Sequence, residues 1–390
     1  MGSWEWLWRI VFAPIVACLI ILLLLPIWIW LERRVCGRIQ ARLGPNRVGP
    51  AGLLQPVADV VKLMFKEDIT PFGVDRVIYL LAPVITVVPS IAALAVVPFG
   101  NLMGGDVNIG LLWITALSAL AVYGVVLGGW SSNNKWSLLG AVRAAAQMIS
   151  YELGLSLGIL AVVVGASAYA AVHGGHALSL RTVVLGQQGV GPLGWNIIWQ
   201  LPAFVIYAIA AVAEANRAPF DLAEAEPELT AGYHTEYSSF RFAMFYMGEY
   251  IHISIISAVA TCLFLGGWLS PFAGIPLLAS LNVSGIPVLR ELAPIFWFML
   301  KLASLVFCFI WLRWTHPRFR WDQLMGMGWV VLLPAGLAWL TYVAIAQAVA
   351  GMLHGNILSS TGWFRVFVLV LVVGVAVWYR RRPSKVEANA

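Results

Sequence analysis

Charge is scarce in this chain: only 11% of its 390 residues are Asp, Glu, Lys or Arg. A soluble globular domain carries roughly 25%. Cysteine is scarcer still, with Cys18, Cys36, Cys262 and Cys308 as the full set. None stand at metal-ligand spacing, and three lie in apolar runs where Cys packs as a small hydrophobe. That argues against an iron–sulfur cluster or a structural zinc held by this chain. The formal charge of +6 is too small to point to nucleic acid. Gly189-Val-Gly191-Pro-Leu-Gly194 spells a GxGxxG pattern, but it follows no strand and opens no βαβ unit, so it does not predict a nucleotide site. His173 and His176 lack further ligands and read as loop residues.

What the chain has in quantity is apolar length: 61% hydrophobic residues and a mean hydropathy of +0.86. The expectation is an all-α polytopic membrane helix bundle. Nine runs reach the roughly 17–25 residues that cross a bilayer, near 10–31, 77–98, 110–130, 147–171, 195–214, 246–269, 293–312, 327–349 and 363–379. Residues 1–382 read as a single integral membrane domain and 383–390 as a polar tail. The opening run lacks a basic start and a small-residue cleavage site, so it reads as a retained span rather than a signal peptide. Of the 24 Lys and Arg residues, 19 fall on one set of alternate connections. The positive-inside rule then puts the N-terminus outside and the C-terminus in the cytoplasm. The 19 tryptophans fit interfacial belts.

Two inside connections are rich. In the first, Glu32 to Arg76, the turn signals Gly44-Pro45-Asn46 and Gly49-Pro50 precede a short amphipathic helix. Val57, Val60, Val61 and Met64 fall on one face and Asp59, Lys62 and Lys66 on another, as in a helix lying in the membrane interface. Arg33, Arg34, Arg38 and Arg42 either serve topology alone or help bind a polar ligand headgroup between this loop and that helix.

The second connection holds Glu214, Asp221, Glu224, Glu226, Glu228, Glu236 and Glu249, seven of the chain's 18 acids. A carboxylate near a bilayer centre costs about 2.5–3.5 kcal/mol on insertion scales, so such a cluster needs a reason. Close carboxylates hold one another's protons more tightly and titrate as a set. They can therefore take up and release protons near neutral pH. The plainer alternative is a solvated loop paired with Arg217 and Arg241. Topology brings Glu152, inside the fourth span, to the depth of Glu214 and Glu249, which points to a polar path. Alternatively each snorkels or pairs locally. Lys301, within the seventh span, is a weaker candidate for a partner or relay.

Two segments carry a specific resemblance. One is Glu32-Arg-Arg-Val-Cys-Gly-Arg-Ile-Gln-Ala-Arg-Leu-Gly-Pro-Asn-Arg-Val-Gly-Pro with Gly52-Leu-Leu-Gln-Pro-Val-Ala-Asp-Val-Val-Lys-Leu. The other is Glu214-Ala-Asn-Arg-Ala-Pro-Phe-Asp-Leu-Ala-Glu-Ala-Glu with Gly232-Tyr-His-Thr-Glu-Tyr-Ser-Ser. Both closely resemble the H subunit of the bacterial proton-pumping NADH:quinone oxidoreductase, respiratory complex I, whose mitochondrial counterpart is NADH dehydrogenase subunit 1. The likeness spans roughly residues 10–349.

The resemblance implies a subunit without a redox centre in the bacterial inner membrane, at the junction with the peripheral arm. Quinone would be its substrate, with FMN and iron–sulfur clusters only in partner subunits. Its neighbours would be the quinone-site subunits of the peripheral arm, small membrane-arm subunits and lipid. Carried over by motif, Gln40, Arg42, Asp59 and Lys62 would lie near the quinone path. Glu152, Glu214, Arg217, Asp221, Glu224, Glu226, Glu228, Glu236 and Glu249 would form the carboxylate path. Pro227 stands where the family often has a polar or small residue, and 363–379 is a run that many members lack. Two other readings compete: the membrane subunit of an energy-converting hydrogenase, which shares the core without quinone, and a free-standing secondary transporter, for which two related halves would be expected.

Overall fold

Apolar runs with no water to satisfy their backbone must close every amide hydrogen bond internally, and a helix does this within one segment. The computed structural model describes residues 12–100, 107–188, 191–222, 230–272 and 287–354, and among them the regular structure is entirely helical. The principal helices are α1 (Ala13–Ile39), α2 (Gln55–Phe65), α3 (Arg76–Leu94), α4 (Gly110–Ser131), α5 (Lys135–His173), α6 (Leu201–Glu214), α7 (Ser239–Phe264), α8 (Pro287–Thr315) and α9 (Leu333–His354). Short helical pieces cover Leu180–Leu185, Asn196–Trp199 and Trp321–Gly326, and a π-turn at Met327–Leu332 leads into α9. Among the described residues, six helices are long and apolar enough to cross a membrane, and α6 is a shorter apolar one. The expected run 363–379 lies outside the described residues.

Helix bounds depart from the apolar runs in two instructive places. Helix α5 has 39 residues and so extends about 58 Å at 1.5 Å per residue. It starts at Lys135, far ahead of the expected run at 147, because Asn134 caps it by accepting the Trp136 N–H. The expected run 195–214 instead breaks at Gln200, which has φ −121° and ψ 41°. Pro202 follows in the first turn of α6, where its missing N–H costs nothing.

Helix α7 is the axis of the bundle. Its apolar stretch is 89% buried, and α3, α8, α2 and α1 pack around it. Helix α5 packs on α4, α6 and α9. The main core runs through α7 and α5 by way of Ile251, Ile255, Phe264, Tyr151 and Val162. A smaller core gathers Tyr79, Tyr237 and Phe245, with Tyr79 and Tyr237 stacked at 4.2 Å. Helix α2 is as expected at its apolar face: Val57, Val60, Val61 and Met64 are all exposed.

Helices α3 and α4 meet through Gly124, where a Cβ would lie 2.0 Å from Thr86 Oγ1 and 2.8 Å from the Ala82 carbonyl. The obstruction includes backbone, so a side chain there must part the helices. Gly124→Val is expected to destabilise the protein by about 1–3 kcal/mol, the range for overpacking, read as a lower melting temperature in detergent.

Candidate functional site

Glu214 closes α6, and the chain then turns sharply so that Arg217 and Asp221 point back into the bundle. Gln147 of α5, with no exposed surface, fastens this turn. Its amide donates to the carbonyls of Ala213 at 2.7 Å and Phe220 at 2.6 Å, and to Asn216 Oδ1 at 3.2 Å. The two N–H groups of this one buried amide are thus shared among three acceptors of the turn.

Held there, Arg217 is 5% exposed. Its Nε lies 2.6 Å from Glu249 Oε1 of α7, and Nη1 is 3.8 Å from Glu32 Oε1 of α1. The guanidinium sits over the rings of Tyr250 at 4.7 Å and Tyr246 at 5.7 Å. Burial opposes its charge, but Glu249, Tyr250 and Glu32 outweigh that and hold its pKa well above the usual arginine value. Glu32 is itself shared: Arg313 of α8 pairs with Oε1, and Tyr250 Oη donates to Oε2 at 2.6 Å.

Helix periodicity carries the line deeper. His252 is three residues after Glu249, on the same face of α7. Its Nε2 lies 3.2 Å from Glu214 Oε1. Glu214 is 4% exposed, and its Oε2 has no hydrogen-bond partner among the described residues. Glu152 of α5, partly buried, stands within electrostatic reach of both Glu214 and His252. Glu32, Arg217, Glu249, His252, Glu214 and Glu152 therefore form a graded line of ionisable groups contributed by α1, α5, α7 and the α6 turn.

Two cavities touch the Glu32 end. One, a small pocket of about 20 Å³, lies between α1, α7 and α8 and is lined by Trp28, Glu32, Arg217, Tyr250, Phe309 and Arg313 among others. The second, an open cleft of about 290 Å³, is lined by Glu32, Arg33, Arg42, Leu43 and Trp314 among others. The loop forming its wall requires glycine at position 52, where φ is +78° and a Cβ would lie 2.3 Å from the Pro45 carbonyl oxygen.

Of the residues expected near a quinone path, Arg42 lines the cleft. Asp59 pairs with Arg33, itself a cleft residue, and accepts from Gln55 Nε2 at 3.2 Å. Gln40 and Lys62 are exposed and do not line it. Of the expected carboxylate path, Glu152, Glu214, Arg217 and Glu249 come together. Asp221 pairs with Arg318 at 3.1 Å. Glu236 accepts from Asn134 Nδ2 at 2.6 Å, in the separate setting of Tyr79 and the start of α5. Glu224, Glu226 and Glu228 lie outside the described residues. Of the two arginines named in the plainer alternative, Arg217 pairs with Glu249 of the acidic set and also approaches Glu32, whereas Arg241 pairs with Asp68 at 2.8 Å. Lys301 is no member of the line. Its ammonium donates to the carbonyls of Leu265, Gly267 and Leu269 at 2.7–2.9 Å and lies 4.2 Å from the Trp195 ring centroid.

Sequence reasoning passed over Glu32, Tyr250, His252, Arg313 and Arg318 as members of the site. His252 was available from its spacing to Glu249. Glu32 and Arg313 read as ordinary flanking charges, and only tertiary packing, across 281 residues of sequence, joins them.

This line of charges coincides with a family match. The model of the NADH dehydrogenase family covers residues 12–344. The chain is 45% identical over 343 residues to the NADH-quinone oxidoreductase H subunit of Koribacter versatilis that is numbered 2, covering 82% of this chain and 91% of that one. It is 44% identical over 349 residues to the NADH-quinone oxidoreductase H subunit of Burkholderia ambifaria, covering 87% and 92%. The Burkholderia vietnamiensis protein of the same name matches at 44% over 349 residues, with the same coverage. The chain belongs to the family of NADH-quinone oxidoreductase H subunits. It is thus a membrane subunit of complex I, and the line just described lies within the part of the chain that the family shares.

Within this H subunit, Arg217→Met would leave Glu249 and Glu32 buried with less compensation. The expected destabilisation is about 3–5 kcal/mol, the range for breaking a buried pair. Glu249→Gln in the same chain should recover part of it, measured as melting temperatures of the purified complex in a double-mutant cycle.

Proposed function

We propose that the chain forms part of the quinone-binding chamber of a proton-translocating NADH:quinone oxidoreductase in a bacterial inner membrane. In this reading it couples quinone reduction to proton movement through its buried carboxylates. The observation that carries the reading is the line itself: a cleft edged by Arg33, Arg42 and Glu32 leads through paired, water-poor groups to Glu214 and Glu152.

Reduction of a quinone to its quinol takes two electrons, which a cluster in a peripheral-arm subunit would supply, and two protons. An anionic reduced quinone at the cleft would sit beside Arg42 and Arg33 and compete with Glu32 for Arg313. Each change of partner alters the field that Glu32 and Arg217 exert on Glu249, His252 and Glu214. Coulomb energies between close charges reach about 4 kcal/mol at an effective dielectric of 20, enough to shift occupancy of the next site roughly a thousandfold. Glu224, Glu226, Glu228 and Asp221 would extend the same path, and Glu236 would stand at its side. The termini would follow the basic-residue asymmetry, N-terminus outside and C-terminus cytoplasmic.

Two substitutions test the two halves. Glu214→Gln is expected to leave the complex assembled and to reduce proton translocation on the order of 10²-fold, the lower range for removing a positioned proton-transfer group. Pumping at the wild-type rate in reconstituted vesicles would defeat the coupling role. Arg42→Met probes the cleft and should raise the KM for a short-chain quinone about tenfold, the loss of one charge-assisted contact. An unchanged KM would remove the cleft from the quinone path.

A further inference from the structure

The start of α7 and the end of α2 are fastened together by side chains that play no part in the line of charges. Ser239, the first residue of α7, is 4% exposed, and its hydroxyl is directed at the carbonyls of Leu63 at 2.8 Å and Lys66 at 2.9 Å. These belong to the last turn of α2 and the residue after it, where helix carbonyls have lost their intrahelical donors. Ser239 reaches them from a left-handed backbone, φ +54°, a conformation that non-glycine residues keep only when their surroundings over-determine it.

Its neighbours grip the same segment. Ser238 Oγ accepts the Ile69 N–H at 3.0 Å. Arg241 pairs with Asp68 at 2.8 Å and lies 5.2 Å from the Tyr79 ring centroid. Three side chains, Ser238 just before α7 and Ser239 and Arg241 in its first turn, thus hold residues 63–69.

Helix α1 ties α2 and the turn that leads into it. Trp30 Nε1 and Arg34 Nη1 donate to the Ala51 carbonyl at 3.1 and 2.8 Å, and Arg33 pairs with Asp59. Helix α2 is therefore held at its entry and middle by the helix that carries Glu32, and at its exit by the helix that carries Glu249 and His252. Glu249 is ten residues beyond Ser239 on α7, about 15 Å along the axis. The other face of α2 is exposed and apolar and makes no tie of its own among the described residues.

We infer that Ser239 is a positioning residue for the quinone reaction: by fixing the exit of α2 on α7, it keeps Asp59 and its partner Arg33 in place at the cleft and in register with the buried carboxylates. The inference rests on the reading of the cleft as part of the quinone path. It deepens that reading by assigning a residue outside the cleft that sets its shape.

The assembled complex carrying Ser239→Gly is the direct test. Glycine accepts the left-handed backbone without strain and removes the hydroxymethyl group with its hydrogen-bonding oxygen. The KM for a short-chain quinone should rise about three- to tenfold, the fold-change for one or two lost hydrogen bonds, with kcat changed less than about twofold. Amide hydrogen exchange over residues 55–69 should quicken. Ser239→Asn, which tolerates the left-handed region and brings amide donors, should move both readouts back toward wild type. Should Ser239→Gly fail to assemble, Asp68→Asn, at a position 41% exposed, removes the neighbouring ion pair and carries the same two readouts. Wild-type exchange over 55–69 would show that the clasp does not hold α2. Faster exchange with an unchanged KM would show that α2 does not shape the quinone path through this contact. Either result overturns the inference. Arg42→Met separates it from the reading beneath it: if that variant raises KM and Ser239→Gly does not, only the clasp fails, and if Arg42→Met leaves KM unchanged, the cleft reading itself fails.

Discussion

The buried guanidinium of Arg217 is the constraint on which the inner half of this bundle depends. An arginine keeps its proton under all ordinary conditions, so once it is folded inside it must be offset by groups that cannot move away. Glu249 and Glu32 supply the opposite charge, the rings of Tyr246 and Tyr250 cover its faces, and Gln147 fixes the backbone that presents it. Four chain segments are thereby pulled to one point. Replacing a buried ion pair with apolar residues is often neutral or stabilising, so retention of so many ionic groups here speaks for a role beyond holding the fold.

The same constraint explains why the site draws on several helices. A carboxylate at the last residue of α6, one within α7 and one within α5 come together, while their backbones remain hydrogen-bonded within the helices. Around them the packing is of small residues: Gly124 lets α3 reach α4, and Gly158 lets α5 approach the backbone of α6.

Much of the helical plan could be read from apolar length alone, since such runs in a bilayer satisfy their backbone as helices. Boundaries were less legible. The first turns of α5 carry Lys135 and Arg143 and looked like connection, yet Asn134 caps them into helix. Glu214, Arg217 and Glu249 stood out because charge beside an apolar run is costly wherever it occurs. Glu32, Arg313 and His252 did not, because their meaning is tertiary: a flanking arginine that serves topology looks the same in one dimension as one that reaches across the bundle. The Ser239 contact, spanning 173–176 residues, leaves no trace in the sequence beyond a Ser-Ser pair in a polar connection.

The position of Arg217 has a consequence for how information could cross this subunit. A guanidinium does not hand on its proton, so it interrupts any relay that would run straight from Glu32 to Glu249. The two sides are left facing one another across a fixed positive plate, and a charge placed on one is felt on the other through the field. Signal transfer of this kind would resemble a capacitor more than a wire: the response would be immediate, need no atom to travel, and be strongest with water kept out of the gap.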